Sequence, residues 1–248
     1  ERRVVENYGT LVNVLIDFCR FHKSALIIRQ YDYGKSKKLN GKGNNKLNNK
    51  PNIILIQAES LDANTVQLCH RDKKVMPFLH SLTGKSIYYP YMMNYHKAGG
   101  TSDAEFSIIN SVEPLGNYPS IKVPSYAYEN SFVRLLAENV YHTAVFHGNE
   151  GRYYRRDEAF PKMGFHNFYD LKAMGLQHTG WGAPDHEVFD FALERIKEYN
   201  SPFFHYVITM SNHCRFTNAL HYYENNLFGD IKKNDQRNFY NSLSYVDV

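Results

Sequence analysis

Thr101 follows two glycines in the stretch Lys97–Phe106, KAGGTSDAEF. A threonine hydroxyl is a weak nucleophile until a base or a metal activates it. Two glycines before it allow a positive φ and bring the hydroxyl close to a ligand. The same residues also make an ordinary helix start, with Thr101 or Ser102 as N-cap and Asp103 or Glu105 in the first turn, close to a capping box. A helix N-terminus is itself an anion site, so the two readings are compatible. Glu59 stands just past the apolar run NIILIQ (Asn52–Gln57). A carboxylate there can bind a hard divalent cation or, the commoner use for an isolated Glu, meet the positive end of a helix. Arg155 and Arg156 follow Tyr153 and Tyr154. A guanidinium fork grips two phosphate oxygens and a tyrosine ring beside it walls a small polar substrate; the equal alternative is a surface charge run with Asp157 and Glu158. His213 could serve as general acid or phosphate donor. His147 is the other candidate, although among 12 histidines any single one is more often structural.

These residues need elements to position them. Three short β-rich runs, NIILIQ, HTAVFH (His142–His147) and FFHYVIT (Phe203–Thr209), each give way to polar residues. NIILIQ has the pattern of a strand buried on both faces. Helical patterns lie between the runs: Asn130 is placed to cap one carrying Phe132, Leu135 and Leu136, and Asp185, after Pro184, to cap another carrying Val188, Phe189, Ala192, Leu193 and Ile196. Such alternation predicts an α/β fold with a mostly parallel central sheet flanked by helices. In such folds, sites gather beyond the carboxyl ends of the strands, which is where Glu59, His147 and His213 fall.

Composition narrows the function classes. The formal net charge of +4 is uneven, since residues 1–50 hold 11 Lys and Arg against 4 Asp and Glu, whereas residues 51–248 hold 18 against 21. A mildly acidic body is the wrong footprint for nucleic acid. The sequence divides into a helix-rich arm (1–33), an exposed Lys/Asn/Gly-rich linker (34–50) and a catalytic-type α/β region (51–248). Cys19, Cys69 and Cys214 show no C-x-x-C spacing. No run reaches the roughly 18–20 apolar residues that span a bilayer. A Walker loop, a G-x-S-x-G elbow and the C-x-P-S-R segment of formylglycine sulfatases are all absent from the sequence. The chain opens on Glu1 without a signal peptide and closes on SLSYVDV, so it is expected to be an excerpt of a longer protein.

In order, NIILIQAES, MPFLHSL, GGTSDAEF, AVFHGN, YYRRDEAF, MGFHNFYD, WGAPDHEVFD and PFFHYVITMSNHCRF resemble the extracellular catalytic domain of lipoteichoic acid synthases, within the sulfatase-like, alkaline-phosphatase-like superfamily. The resemblance implies a metal-dependent glycerophosphotransferase with Thr101 as nucleophile and as a metal ligand beside Glu59. The implied cofactor is a divalent metal, Mn2+ first and Mg2+ as the alternative. Thr101 would attack phosphatidylglycerol, release diacylglycerol and pass glycerophosphate to a polyglycerophosphate acceptor. Arg156 and His213 match phosphate-binding positions, His147 a position near the substrate, and Tyr154 a position that is Trp in the best-known members. The resemblance also implies a Gram-positive cell membrane, an outward-facing catalytic domain and membrane helices before the basic arm. The family's remaining metal ligands are an Asp-His pair in a Gly-Asp-His segment after the equivalent of SLSYVDV; Asp185-His186 does not match it. The excerpt is therefore expected to hold half a metal site and to be inactive by itself. A related phosphoethanolamine or phosphoglycerol transferase or phosphodiesterase, and a catalytically dead extracellular binding domain, are the alternatives.

Overall fold

The computed structural model describes residues 50–93, 96–123, 126–217 and 227–247, together with Leu15, Phe18 and Cys19. The expected arm and linker otherwise lie outside the described residues; Leu15, Phe18 and Cys19 are helical and exposed. Six strands are present among the described residues: Ile53–Gln57 (β1), Cys69–His70 (β2), Lys73–Lys74 (β3), His142–His147 (β4), Asn167–Tyr169 (β5) and Phe203–Ile208 (β6). Strands β2 and β3 form a small antiparallel pair, and the other four form one parallel sheet in the order β1–β6–β4–β5. The helices are Pro77–Leu82 (α1), Thr101–Asn110 (α2), Phe132–Glu138 (α3), Arg156–Met163 (α4), Asp185–Ile196 (α5) and Asn234–Val246 (α6).

Alternation along the two inner strands builds a core on each side of the sheet. Val145 of β4 with Phe204, Tyr206 and Ile208 of β6 meet Phe106, Val133, Phe160 and Met163 from α2, α3 and α4. The opposite face carries Ala144, Phe146 and Val207, covered by Val188 and Ala192 of α5. Helices on both faces are the reason β4 and β6 are apolar nearly throughout. Strand β1 departs from its expected burial on both faces: it ends the sheet among the described residues, and Ile54 and Ile56 are 50% and 53% exposed. An unbroken apolar run such as IILI reads the same whether one or two faces are covered, so its composition did not distinguish an outer from an inner strand.

Two expected helix caps are displaced by one residue. Ser131, not Asn130, precedes α3, and Pro184 precedes α5, so Asp185 is the first helical residue. Neither cap side chain bonds to its own helix; Ser131 Oγ donates instead to the Met163 carbonyl at 2.5 Å. No described helix is long and apolar enough to cross a membrane.

His205 lies in the centre of β6, 1% exposed, and its Nε2 has no hydrogen-bond partner among the described residues. Burial pushes its imidazole from 6.5 down to about 4. The unfolded chain therefore binds the proton first as pH falls, so stability is lost from about pH 6.5 towards pH 4. Thermal melts across that range should show the slope in wild type and a flatter one in His205→Leu; an unchanged slope would refute this source of acid lability.

Candidate active site

Register places the site. Gln57 of β1 lies opposite Ile208 of β6, and His147 of β4 lies opposite the same residue. Three parallel strands thus end level, and the residues just after them open onto one edge of the sheet. Glu59 leaves β1 with its N–H on Thr209 Oγ1 at 2.8 Å. Asn212 Nδ2 donates to the carbonyls of Glu59 and Ser60 at 3.2 and 3.1 Å. The turn after β6 therefore carries the turn after β1.

Helix α2 brings Thr101 to the same edge. Its N-cap is Gly100, with φ 54° and ψ −124°, a conformation that L side chains avoid. A Cβ on Gly99 would lie 2.5 Å from Asp103 Oδ1, so this position also needs glycine. The expected capping box does not form, because Gly100 supplies no side-chain cap and Thr101 is already helical. Thr101 Oγ1 instead donates to Glu59 Oε2 at 2.8 Å. Asp103 shapes the loop from beneath, accepting from Gly99 N at 2.8 Å, Lys97 N at 3.1 Å and Ser120 N at 2.9 Å.

Glu105 has a role that its place in a helix start did not suggest. Arg156, at the start of α4, is held by it through Nη2–Oε1 at 2.6 Å and Nε–Oε2 at 2.9 Å, with side chains 3% and 0% exposed. Burial opposes the guanidinium charge, but Glu105 outweighs it and raises the Arg156 pKa. The fork expected to grip phosphate is thus already engaged by a carboxylate. Among the described residues its Nη1 donates to the Tyr153 carbonyl, at 3.3 Å, and makes no bond to Glu105. Just ahead, Tyr154 and Arg155 both take left-handed backbone conformations, φ 61° and 58°. Each such residue costs on the order of 1–3 kcal/mol. The kink sets the Tyr154 ring 5.4 Å from the Arg156 guanidinium.

The six residues that the resemblance assigns to the site, Glu59, Thr101, His147, Tyr154, Arg156 and His213, line one cavity of about 200 Å3, whereas Arg155 lies outside it, paired with Glu158. Pockets for drug-sized ligands run to about 300–1,000 Å3, so this space suits a smaller group. Tyr153, Asn149 and Trp181 complete the wall. The Trp181 indole stacks on the His213 ring at 5.0 Å and 17°, and Asn149 Nδ2 donates to the Trp181 carbonyl at 3.0 Å. Trp181 is the sole tryptophan of the chain and sits between two glycines, a signal that would have flagged it. A larger hollow of about 700 Å3, walled in part by Tyr89, Met92 and Ile108, adjoins at Glu59, Gly100 and Thr101.

The two histidines differ. His147 is buried; desolvation, then the charge of Arg156, holds its pKa well below 6.5, so it is neutral at pH 7. His213 is half-buried, with Nδ1 2.7 Å from the Cys214 carbonyl. A carbonyl only accepts, so Nδ1 carries the proton, and Nε2 accepts when the ring is neutral and donates when it is charged.

Glu59 and Thr101 together offer carboxylate and hydroxyl oxygens, donors of the kind that Mg2+ or Mn2+ takes. Among the described residues, no three His, Cys, Asp or Glu side chains gather around them.

The chain is similar to several known proteins. Lipoteichoic acid synthase of Staphylococcus saprophyticus is 31% identical over 176 residues, 68% of this chain and 27% of that protein. The lipoteichoic acid synthase-like YvgJ of Bacillus subtilis is 27% identical over 168 residues, 66% of this chain and 27% of that protein. The chain thus spans about a quarter of the length of these curated relatives. The crystal structure of the lipoteichoic acid synthase LtaP from Listeria monocytogenes superposes with a TM-score of 0.72 at 30% identity, over 79% of this chain and 49% of that one. The expected mostly parallel, alkaline-phosphatase-like sheet is thereby borne out. With the sulfatase family model matching residues 51–248, which include every residue of the crevice, the chain belongs to the sulfatase family.

Proposed function

We propose that this domain, within its parent protein, is a glycerophosphotransferase that takes glycerophosphate from phosphatidylglycerol onto Thr101 and hands it to a polyglycerophosphate acceptor. The observation that carries this is the 2.8 Å contact of Thr101 Oγ1 with Glu59 Oε2, inside a cavity that also holds Arg156 and two histidines. Glu59 orients the Thr101 proton towards itself and leaves the oxygen lone pairs to the cavity. The N-terminal end of α2 adds its positive partial charge at the same oxygen. Arg156 offers Nη1 to a phosphate oxygen, and neutral His147 offers hydrogen bonding without adding repulsion for a metal. In the first half-reaction the Thr101 Oγ–P bond forms as its proton passes to Glu59, and the P–O bond to diacylglycerol breaks, with His213 as the acid that supplies the departing alkoxide's proton. In the second, an acceptor hydroxyl gives its proton to His213 and bonds to phosphorus, while the Oγ–P bond breaks and Thr101 regains the proton held by Glu59. Splitting the transfer makes each displacement easier.

Glu59 and Thr101 are the residues that would hold a divalent cation, Mn2+ first. When bound, it would lower the hydroxyl pKa and offset phosphate charge. With these two donors alone, we expect the 248-residue chain to bind Mn2+ weakly and to turn over no lipid by itself. The parent protein would act at the outer face of a Gram-positive membrane. The test is the parent protein in vesicles carrying equal phosphatidylglycerol and phosphatidylethanolamine, with Mn2+. Loss of phosphatidylglycerol with matching diacylglycerol release is expected. Loss of phosphatidylethanolamine instead would move the reading to a phosphoethanolamine transferase, and loss of neither would favour a binding domain.

A further inference from the structure

Asp185 begins α5, yet it hydrogen-bonds to a different part of the chain. Its Oδ1 accepts from Met210 N at 2.6 Å and its Oδ2 from Ser211 N at 3.0 Å. Its own N–H donates to Ser211 Oγ at 3.1 Å. Three bonds thus fasten one buried carboxylic residue to the turn after β6. That turn is the one whose Thr209 and Asn212 hold the Glu59 backbone and whose His213 N–H closes on the Met210 carbonyl at 3.0 Å. An aspartate at a helix start ordinarily serves its own helix, and here the helix start is instead spent on the loop that carries two sides of the crevice.

We infer that Asp185 is a positioning residue for the transfer reaction, fixing the Met210–His213 turn so that His213 and Glu59 face Thr101 together. This rests on the crevice being the reacting centre. The carboxylate is suited to the task because it only accepts and can meet two consecutive N–H groups at once, as a carboxamide cannot. Burial raises its pKa to about 6, against the pull of its backbone hydrogen bonds, and it is ionised at pH 7.

The stack of Trp181 on His213 gives a readout independent of turnover. An imidazole ring stacked on the indole quenches its emission, so Trp181 fluorescence, isolated in the parent protein by subtracting the Trp181→Phe spectrum, reports where His213 sits. In Asp185→Asn, kcat on phosphatidylglycerol should fall by about 10–100-fold, the range seen when groups supporting a site are lost. Trp181 emission should rise as the stack opens, and the rise should vanish in the His213→Gln background. A purely structural role would lower the melting temperature without moving this His213-dependent emission. Should Asp185→Asn not fold, Ser211→Ala removes one of the three bonds and should give a smaller emission change of the same sign. Wild-type emission in the folded variant, or a change that persists without His213, overturns the inference. If the wild type consumes no phosphatidylglycerol, the proposed function fails, and the emission experiment still decides the place of Asp185.

Discussion

Thr101→Ala should abolish lipid turnover by the parent protein, by at least on the order of 10³-fold, as loss of a nucleophile does elsewhere. The backbone leaves no substitute for this hydroxyl. Ser102 Oγ is fully buried and donates to the Gly99 carbonyl at 2.9 Å. Ser60 Oγ does reach Glu59, at 3.1 Å on Oε1, but Ser60 lines the larger hollow and is not among the residues of the small cavity. Ser60→Ala should therefore cost less than about tenfold on the same scale. Wild-type enzyme quenched during turnover should carry glycerophosphate on the peptide containing Thr101, seen by mass spectrometry, and Thr101→Ala should carry none. Turnover by Thr101→Ala above about a tenth of wild type would exclude the covalent route. Gly100→Ala offers a second approach to the same residue, because a φ of 54° with ψ −124° strains any side chain and should swing Oγ1 away from Glu59.

How much of this was legible beforehand depends on the range of the interaction concerned. Glu59 and His213 follow apolar β-rich runs and His147 ends one, so the pattern allowed the three to converge; the register that brings Gln57, Ile208 and His147 level was not in it. Thr101 was legible for a related reason, since two glycines announce a backbone that only glycine adopts. Pairing partners were not legible. Nothing in TSDAEF distinguishes Glu105, which reaches Arg156 across 51 positions, from Asp103, which serves its own loop. A helix start explains both carboxylates equally well, and only tertiary packing separates them. The same holds for Asp185, which has the sequence context of a cap and the contacts of a clamp. The exposed flank of β1 was invisible for a further reason: strand composition records that a residue is apolar, not whether a neighbour arrives to cover it.

The second large effect is expected at Glu105. Removing one partner of a buried ion pair leaves an uncompensated charge, so Glu105→Ala should cost about 3–5 kcal/mol in urea unfolding. Glu105→Gln keeps an acceptor for Arg156 and should cost less, while leaving the guanidinium without its counter-charge. That freed charge faces the same cavity as Thr101, so inorganic phosphate should raise the melting temperature of Glu105→Gln more than that of wild type, by mass action on the folded state. A pair kept only for folding would give the variant no greater response to phosphate. The double variant Glu105→Gln with Arg156→Met separates the two roles further. Replacing both charges with a neutral pair of similar volume should recover much of the lost stability, as buried pairs often allow. It should not recover turnover, because the Nη1 nitrogen aimed at the phosphate is gone. Stability restored together with activity would show that Arg156 is a packing residue, and that phosphate is held in this crevice by other groups.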